Sequence, residues 1–386
     1  MMRPMPYHGA DLSLQQKLWQ INWSLILLVV SIGGIGIAML YSAGGSQIDG
    51  GSMEPWASRQ LVRLSVGLLV MVGIALVDTR IWLRYAYVIY GVTMLLLVGV
   101  EAFGAIGMGA QRWIRIGFFQ VQPSELMKIS LVLALARYFH RMNIEDIGRP
   151  TYLVVPLMMV AAPVAIVMRQ PDLGTAVMLG IGGGALFFLA GVRLWKFAVV
   201  IVCGLASIPI AWNFLHEYQQ KRILTFLNPE SDPLGSGYHI LQSQIAFGSG
   251  GVFGKGFTKG TQSQLNFLPE RHTDFIYTML AEEFGLMGGL MVLMLYGMLL
   301  VYGLAIAIRC RNHFGRLVAM GVTTTILLYV FINTAMVMGL IPVVGVPLPL
   351  ISYGGTAMIT VLAGCGFLMN CYIHRDSRIA RHASEA

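Results

Sequence analysis

Charge is scarce in this 386-residue sequence: Asp, Glu, Lys and Arg together make up 11% of it. Soluble domains carry roughly 25%. Too few charges remain to cover a water-exposed surface of this size, which excludes an ordinary soluble globule. Cysteine is scarce as well. Cys203, Cys310, Cys365 and Cys371 lie in or beside apolar runs without metal-ligand spacing, which excludes a disulfide framework and a zinc site and leaves small buried hydrophobes. No basic stripe interleaved with aromatics and no nucleic-acid motif is present, so the net charge of +8 does not point to nucleic acid. An inverted repeat of the transporter kind is missing. So is a cleavable leader, because a polar stretch through Gln20 precedes a full-length apolar run that reads as a retained first span.

What is there is apolar: hydrophobic types make up 56%, and the mean hydropathy is +0.70. Lipid is the solvent that this composition implies. A helix needs about 20 mostly apolar residues to cross the hydrocarbon core. That criterion places spans near 23–42, 61–77, 85–101, 123–140, 151–168, 173–191, 196–213, 284–308, 315–338 and 349–372. The expected fold class is all-α, a polytopic transmembrane helix bundle of about ten spans, with 1–386 as a single integral membrane domain.

Lys and Arg set the expected orientation. One set of segments holds Arg3, Lys17, Arg80, Arg84, Arg137, Arg141, Arg149, Arg193, Lys196, Arg309, Arg311, Arg316, Arg375, Arg378 and Arg381. The short loops of the other set hold Arg59, Arg63, Arg112, Arg115 and Arg169. The richer set is expected to face the cytoplasm, with both termini on that side. A long extracytoplasmic loop, 214–273, then joins spans seven and eight. Loops longer than about 15 residues are usually functional or disordered. This one has aromatics, Pro turns and a Gly-rich centre from Gly248 to Gly260. It is expected to fold back on the bundle with short helices, for example around Tyr238 to Phe247.

Ionisable residues gather where spans begin. The fourth span opens Gln122-Pro123-Ser124-Glu125-Leu126-Met127-Lys128. Its Pro sits at a helical first turn, where the missing N–H costs nothing, and Glu125 and Lys128 share a face. Ions at that depth default to a functional reading; an internal ion pair that ties helices together is the compatible alternative. The sixth span opens Gln170-Pro171-Asp172-Leu173-Gly174 and the tenth Pro347-Leu348-Pro349, followed by Ser352-Tyr353-Gly354-Gly355. All three helix starts point outward in the expected topology, and helix N-termini suit anions such as phosphate. Asp172 also fits a helix-start residue that satisfies backbone donors. Arg112 and Trp113 precede the fourth span and fit an amphipathic interfacial segment, in which the Arg can hold a lipid phosphate.

The densest polar cluster is Leu268-Pro269-Glu270-Arg271-His272-Thr273-Asp274-Phe275. Local sequence leaves Asp274 open as a helix cap or as a chemical group, and the cluster does not name its reaction.

The run Gly260-Thr261-Gln262-Ser263-Gln264-Leu265-Asn266-Phe267 through Pro269-Glu270-Arg271-His272-Thr273-Asp274-Phe275-Ile276-Tyr277, then Glu282-Glu283-Phe284-Gly285, closely resembles the SEDS family. The likeness extends through Gln111-Arg112-Trp113, the helix starts at Gln122 and Gln170, Gly248-Ser249-Gly250-Gly251 and Ile351-Ser352-Tyr353-Gly354-Gly355. It covers nearly the whole chain in family order. The Gly-Thr-Gln-Ser-Gln run is closer to the cell-elongation, rod-shape branch than to the division branch.

The resemblance implies a peptidoglycan glycosyltransferase of the bacterial inner membrane. Such an enzyme polymerises lipid II, an undecaprenyl-pyrophosphate disaccharide-pentapeptide. It works with a class B penicillin-binding protein and other elongation-complex proteins. The family's essential outer-loop aspartate falls on Asp274. An uncharged sugar hydroxyl is a poor nucleophile that a positioned carboxylate base would help. The leaving pyrophosphate gains from cations, and Arg112, Lys128, Lys255 and Arg271 are the candidates. Glu125, Asp172, His272 and Ser352 complete the set expected to contact substrate. A divalent cation could substitute for a side-chain cation, although the sequence shows no closed metal site. One essential carboxylate without a second as nucleophile agrees with inversion at the anomeric carbon. A lipid flippase and a non-catalytic scaffold of the wall-synthesis complex are the competing readings. The first predicts charges strung across the bilayer, whereas the charges here concentrate at one side. The second predicts that the polar cluster around Asp274 is dispensable.

Overall fold

A computed structural model describes residues 13–44, 56–107, 110–116, 119–143, 145–213, 217–228, 236–264, 267, 270–377 and 379. Arg3, Arg378 and Arg381 of the charge pattern lie outside the described residues, as do 214–216, 229–235, 265–266 and 268–269 of the expected long loop.

Helices dominate. In chain order they are α1 (Leu14–Trp19), α2 (Trp23–Gly44), α3 (Trp56–Leu76) and α4 (Thr79–Phe103); then, after three short strands, α5 (Pro123–Arg141), α6 (Pro150–Arg169), α7 (Leu173–Ala190) and α8 (Leu194–Trp212). The segment between spans seven and eight contributes α9 (Glu217–Leu227), α10 (Ser236–Ser249) and α11 (Thr261–Gln264). The bundle closes with α12 (Ile276–Arg309), α13 (His313–Val337) and α14 (Gly355–Ile373). Eight of these, α2, α3, α4, α6, α7, α12, α13 and α14, are long and apolar enough to cross a membrane. The two remaining expected spans fall on α5 and α8. The charges of α5 (Glu125, Lys128, Arg137 and Arg141) lower its hydropathy, and the described apolar stretch of α8 is short, Leu194–Pro209.

Local chemistry explains the ends. Pro123 and Pro150 open α5 and α6, where no N–H is needed. The side chains of Asp78, Asp172 and Asn312 accept from first-turn N–H groups of α4, α7 and α13. Besides the starts of α3 and α4, which precede the expected 61 and 85 by five and six residues, three features depart from the sequence expectation. The last helix starts at Gly355 rather than 349, because Leu350 takes a positive φ of 66° and the run from Ile341 to Gly354 stays non-helical. Helix α12 starts at Ile276, eight residues before the expected 284, because Glu282 and Glu283 are accommodated by partners inside the protein. The segment around Arg112-Trp113 is a small antiparallel meander, β1 (Ala105–Gly107), β2 (Ala110–Ile116) and β3 (Phe119–Val121), for which the sequence carries no strand signal.

Helix α5 is the axis. It packs against α4, α6, α7, α13 and α14, and most of its residues are buried. Helix α10 lies against α12, where Ser243 Oγ shares a 2.8 Å hydrogen bond with Thr278 Oγ1 and donates to Val337 O at 2.8 Å. The Gly-rich stretch has a specific task. Helix α12 breaks at Gly285, whose φ of 67° and ψ of −164° are not helical. The break exposes backbone groups that lipid cannot satisfy. Residues 251–256 satisfy them: Lys255 N donates to Glu282 O at 3.1 Å, Gly256 N to Glu283 O at 2.9 Å, Leu286 N to Gly251 O at 2.9 Å and Met287 N to Val252 O at 3.2 Å. Such backbone-to-backbone approach leaves no room for side chains. A Cβ on Gly254, which has φ of 80°, would collide with the backbone of Glu283 and Phe284.

Gly254→Ala should therefore destabilise the protein by about 2–4 kcal/mol, combining left-handed strain with the collision. Gly248→Ala, where a Cβ meets nothing within 4 Å, should leave stability near wild type. Thermal unfolding of the detergent-solubilised variants checks the contrast; equal melting temperatures would show that the loop does not brace the break.

Candidate functional site

The segment 270–275 is a self-closed turn. Thr273 N and Phe275 N both donate to Glu270 O at 3.2 Å, and Thr273 Oγ1 donates to Glu270 Oε2 at 2.7 Å. The cap position of α12 is Phe275, and no side chain caps it, so Asp274 is not the N-cap that its position before an apolar helix suggests. The next feature is backbone anchoring. Three consecutive carbonyls are each held from outside: His272 O by Tyr353 N at 2.9 Å, Thr273 O by Ser352 Oγ at 2.7 Å and Asp274 O by Asn333 Nδ2 at 2.9 Å. Ser352 Oγ also accepts from Leu348 N at 2.7 Å, and Asn333 Nδ2 also donates to Val346 O at 2.7 Å. The 346–353 turn and α13 thus clamp the main chain on which the partly exposed Asp274 stands. Asp274 Oδ2 lies 3.4 Å from where a Cβ on Gly345 would be, so the carboxylate sits beside this turn.

Around it stands an aromatic ladder. The His272 ring stacks on Trp56 with centroids 4.4 Å apart and faces Tyr353 at 6.0 Å. The Arg63 guanidinium covers the other Tyr353 contact, 4.2 Å from the ring centroid. Burial pushes the His272 pKa below its usual 6.5; the Glu270 carboxylate opposes that shift and Arg271 reinforces it. Arg271 itself is buried.

A second group joins three helix starts. Gln122, just before α5, donates from Nε2 to Asp172 Oδ2 at 3.2 Å and from its backbone N to Thr356 Oγ1 at 3.2 Å. The starts of α5, α7 and α14 therefore meet at one residue. Asp172 acts as a cap: Oδ1 accepts from Thr175 N at 3.1 Å and Oδ2 from Thr175 Oγ1 at 3.0 Å. Arg112, on β2, donates to Gln170 O at 3.1 Å and to Pro171 O. It secures the α6–α7 turn from the sheet. Val344 links this group to the first, because a Cβ on Gly174 would lie 2.6 Å from Val344 O, next to Gly345.

Glu125 and Lys128 are 3% and 4% exposed. Lys128 Nζ donates to Glu125 Oε1 and to the Tyr329 hydroxyl, both at 2.6 Å, and Tyr329 in turn donates to Glu125 Oε2. This closed triangle joins α5 to α13. Lys255 pairs with the fully buried Glu282 at 2.8 Å, where Thr261 Oγ1 and Gln262 N also donate to the same oxygen. The expected residues thus form separate groups: Asp274, His272 and Ser352 come together, Arg112 and Asp172 share the helix starts, and Glu125–Lys128 and Lys255 are occupied by protein partners. Sequence reasoning missed Asn333, Tyr329 and Glu282 as participants, and also Gln60, whose Nε2 donates to Ser352 O at 2.9 Å. Asn333 and Tyr329 carried a readable signal, polar groups inside an apolar span. Among the described residues, no group of three or more His, Cys, Asp or Glu gathers as metal ligands.

Residues 22–377 match the family model of the FtsW, RodA and SpoVE type, described as cell cycle proteins. The chain is 45% identical over 355 residues to the peptidoglycan glycosyltransferase MrdB of Escherichia coli K12, covering 91% of this chain and 93% of the relative. Among solved structures it resembles a chain of a peptidoglycan synthase complex studied for the structural coordination of polymerization and crosslinking. That likeness has a TM-score of 0.79 and 31% identity, and covers 92% of this chain and 98% of the other. It also resembles the rod shape determining protein RodA of Thermus thermophilus, with a TM-score of 0.69 and 29% identity, over 93% and 98% of the two chains.

Two outcomes test the geometry. Asn333→Leu keeps the branched shape but leaves the Asp274 and Val346 carbonyls without that donor, and should cost about 2–6 kcal/mol at roughly 1–3 per unsatisfied group; thermal unfolding reads it. For His272 the folded state favours the neutral ring. Its contribution is therefore fully present above about pH 6.5 and is lost as pH falls through the lower folded value. Melting temperature should drop as pH falls from about 6.5 towards the lower folded value and this part of the drop should level off below it, and His272→Gln should flatten the drop. Parallel curves for the two proteins would contradict it.

Proposed function

The chain belongs to the FtsW/RodA/SpoVE family and is a peptidoglycan glycosyltransferase, and on that premise we propose that it polymerises lipid II with Asp274 as general base. The observation that supports this role is the clamp on 272–274, which fixes the backbone of a partly exposed carboxylate against the 346–353 turn. Held in this way, a base needs little reorganisation when a hydroxyl arrives.

In the proposed reaction the 4-hydroxyl of one lipid II attacks the anomeric carbon at the end of a growing strand. The new C–O bond forms as the bond to pyrophosphate breaks. The hydroxyl proton passes to Asp274, and the bonding pair leaves with the polyprenyl pyrophosphate. Direct displacement inverts the anomeric centre. The Asp274 charge also favours an oxocarbenium-like transition state, and the neighbouring Arg271 favours the departing anion. The remaining groups act by position. Glu125, Lys128 and Tyr329 hold α5 to α13; Asp172, Gln122 and Arg112 fix the helix starts; Lys255 neutralises Glu282 beside the α12 break; Ser352 holds the Asp274 turn.

The same reading extends to topology and partners. Ten spans, with α5 and α8 included, put both termini in the cytoplasm by the distribution of Lys and Arg. Residues 214–273 and Asp274 then lie on the outer face of the inner membrane, with 1–386 acting as one integral membrane domain. A class B penicillin-binding protein is the proposed crosslinking partner, and the likeness to a chain of a polymerization and crosslinking complex supports it.

The test is polymerisation of purified lipid II by purified protein, with and without a class B penicillin-binding protein. Asp274→Asn, which keeps shape and removes the base, should lower strand synthesis about 10²-fold or more while the protein stays folded. Unchanged synthesis would remove Asp274 from the base role. Absence of strands in every wild-type sample would return the flippase and scaffold readings to consideration.

A further inference from the structure

Helix α6 carries two internal prolines, Pro156 and Pro163. A proline inside a helix leaves the carbonyl four residues earlier without its donor, here those of Tyr152 and Met159. Lipid cannot supply one. Two tyrosines do: the Tyr138 hydroxyl of α5 donates to Tyr152 O at 2.7 Å, and that of Tyr90 on α4 donates to Met159 O at 2.9 Å. Beside the first of these joints a cavity of about 330 Å³ opens between α4, α5 and α6. Tyr87, Tyr138 and Tyr152 line it with Arg141, Asn143 and Asp146. It lies at the opposite end of α5 from Gln122, so it is no part of the group around Asp274.

Positive charge crowds this end of the bundle. Arg137 and Arg141 are four residues apart on α5 and share a face, where like charges repel. The Arg137 guanidinium lies over the Tyr87 ring, 4.3 Å from its centroid, and donates from Nη1 to Arg84 O; its Nε is buried with no hydrogen-bond partner. Among the described residues, none of Arg84, Arg137 and Arg141 pairs with a carboxylate. Asp146, on the cavity wall, is already paired with Arg149 at 3.1 Å. The carbonyls at a helix end favour a cation in the last turn only. That covers Arg141 and leaves Arg137 and Arg84 without compensation. Excess positive charge beside a cavity, with a buried donor unused, fits an anion, and guanidinium suits phosphate oxygens through its paired donors.

The flanks narrow the anion's chemistry. Val88, next to Tyr87, is 57% exposed, and Val155, one turn beyond Tyr152 on α6, is 53% exposed. Lipid chains can lie on such faces while a phosphate enters between them. Basic pockets between spanning helices, on the membrane side rich in Lys and Arg, take anionic headgroups in this way. A zwitterionic headgroup would bring an ammonium into the same positive field. We propose that the cavity between α4, α5 and α6 seats the phosphate of an anionic, amine-free phospholipid headgroup, with Arg141 and Arg137 as its counter-charge. The bound headgroup braces the joint at Pro156, because Tyr138 and Tyr152 form part of the cavity wall. The site goes beyond glycosyl transfer and does not depend on it. A soluble phosphate is the other source of the same chemistry.

The experiment uses full-length protein in detergent micelles holding equimolar phosphatidylglycerol and phosphatidylethanolamine. Native mass spectrometry counts the lipid retained, and thermal unfolding checks the fold. The wild type should retain phosphatidylglycerol in preference. Arg141→Gln, at an exposed side chain, should lower that retention about tenfold, the scale of one lost charge-assisted hydrogen bond, with lipid-free melting unchanged. Arg137→Gln should act in the same direction. Arg309→Gln removes another exposed arginine of the same Lys- and Arg-rich set, at the end of α12, and should retain lipid as the wild type does. Equal retention of the two lipids by the wild type, or unchanged retention in Arg141→Gln, would overturn the proposal. So would an equal loss in Arg309→Gln, which would leave only general attraction to surface charge. Displacement of the lipid by equimolar glycerophosphoglycerol, the same headgroup without chains, would reassign the cavity to a soluble phosphate and overturn the lipid assignment.

Discussion

A charge inside a lipid-embedded bundle has to be neutralised by the protein, and the Glu125–Lys128–Tyr329 triangle is where this chain meets that demand. Each member donates to or accepts from the other two. Removing one partner from such a buried pair costs roughly 3–5 kcal/mol, because the other ion is left uncompensated. The triangle lies in the first turns of α5, the helix that packs against five others, and it binds that helix to α13. With α5 fixed in depth and rotation, Gln122 immediately before it can reach both Asp172 and Thr356. The starts of α7 and α14 are then set by the same residue. A shift of α5 would move all three.

Irregular backbone is the second demand. Lipid offers no hydrogen bonds, so any break in a spanning helix must be satisfied within the protein. Helix α12 breaks at Gly285, and the backbone of 251–256 fills the vacancy. Nine residues earlier its start is left uncapped, and Asn333, Ser352 and Tyr353 hold the carbonyls that precede it. The two solutions bracket the first turns of α12 and hold them rigid. The Gly-rich stretch, which in sequence looks like a mobile loop, is here a closely fitted piece of backbone. Gly250 and Gly254 answer steric contact, since a Cβ on either would collide with the backbone of α12.

The sequence made some of this legible and hid the rest for physical reasons. Long apolar runs and first-turn prolines located α2, α5, α6, α7 and α13 to within a few residues, because hydropathy and proline geometry are local. The start of α14 was misread because Pro347-Leu348-Pro349 looks like a helix opening, while the positive φ of Leu350 depends on contacts far away in the chain. The β1–β3 meander has strands as short as three residues, too short for alternation to register. Asp172 was legible as a cap from its own neighbourhood. The partners of Glu125, Lys128, Lys255 and Asp274 were not, since Tyr329 lies 204 residues from Glu125 and Asn333 lies 59 from Asp274. Asp274 itself stood out through the resemblance of its motif and not through local pattern, which left a cap equally open.

Burial and partnership also sort the carboxylates that compete for the role of base. A base must be reached by a substrate hydroxyl, and a carboxylate already enclosed cannot be. Glu282 and Glu283 are fully buried; Glu282 pairs with Lys255 and Glu283 accepts from Ser42 Oγ at 2.5 Å. Glu125 is closed within its triangle. Asp172 is 5% exposed and accepts three hydrogen bonds from Thr175 and Gln122. Glu270 spends both a side-chain oxygen and its carbonyl in closing the 270–275 turn. Asp274 combines partial exposure with a backbone fixed on the outside by three donors, and it shares that clamp with the ladder that orients Arg63. The same turn that holds the proposed base thus also carries Tyr353, on whose ring the Arg63 guanidinium lies 4.2 Å from the centroid. A base fixed to that turn moves only with Asn333, Ser352 and Tyr353, so the position from which it takes a proton is set by α13 and the 346–353 turn together.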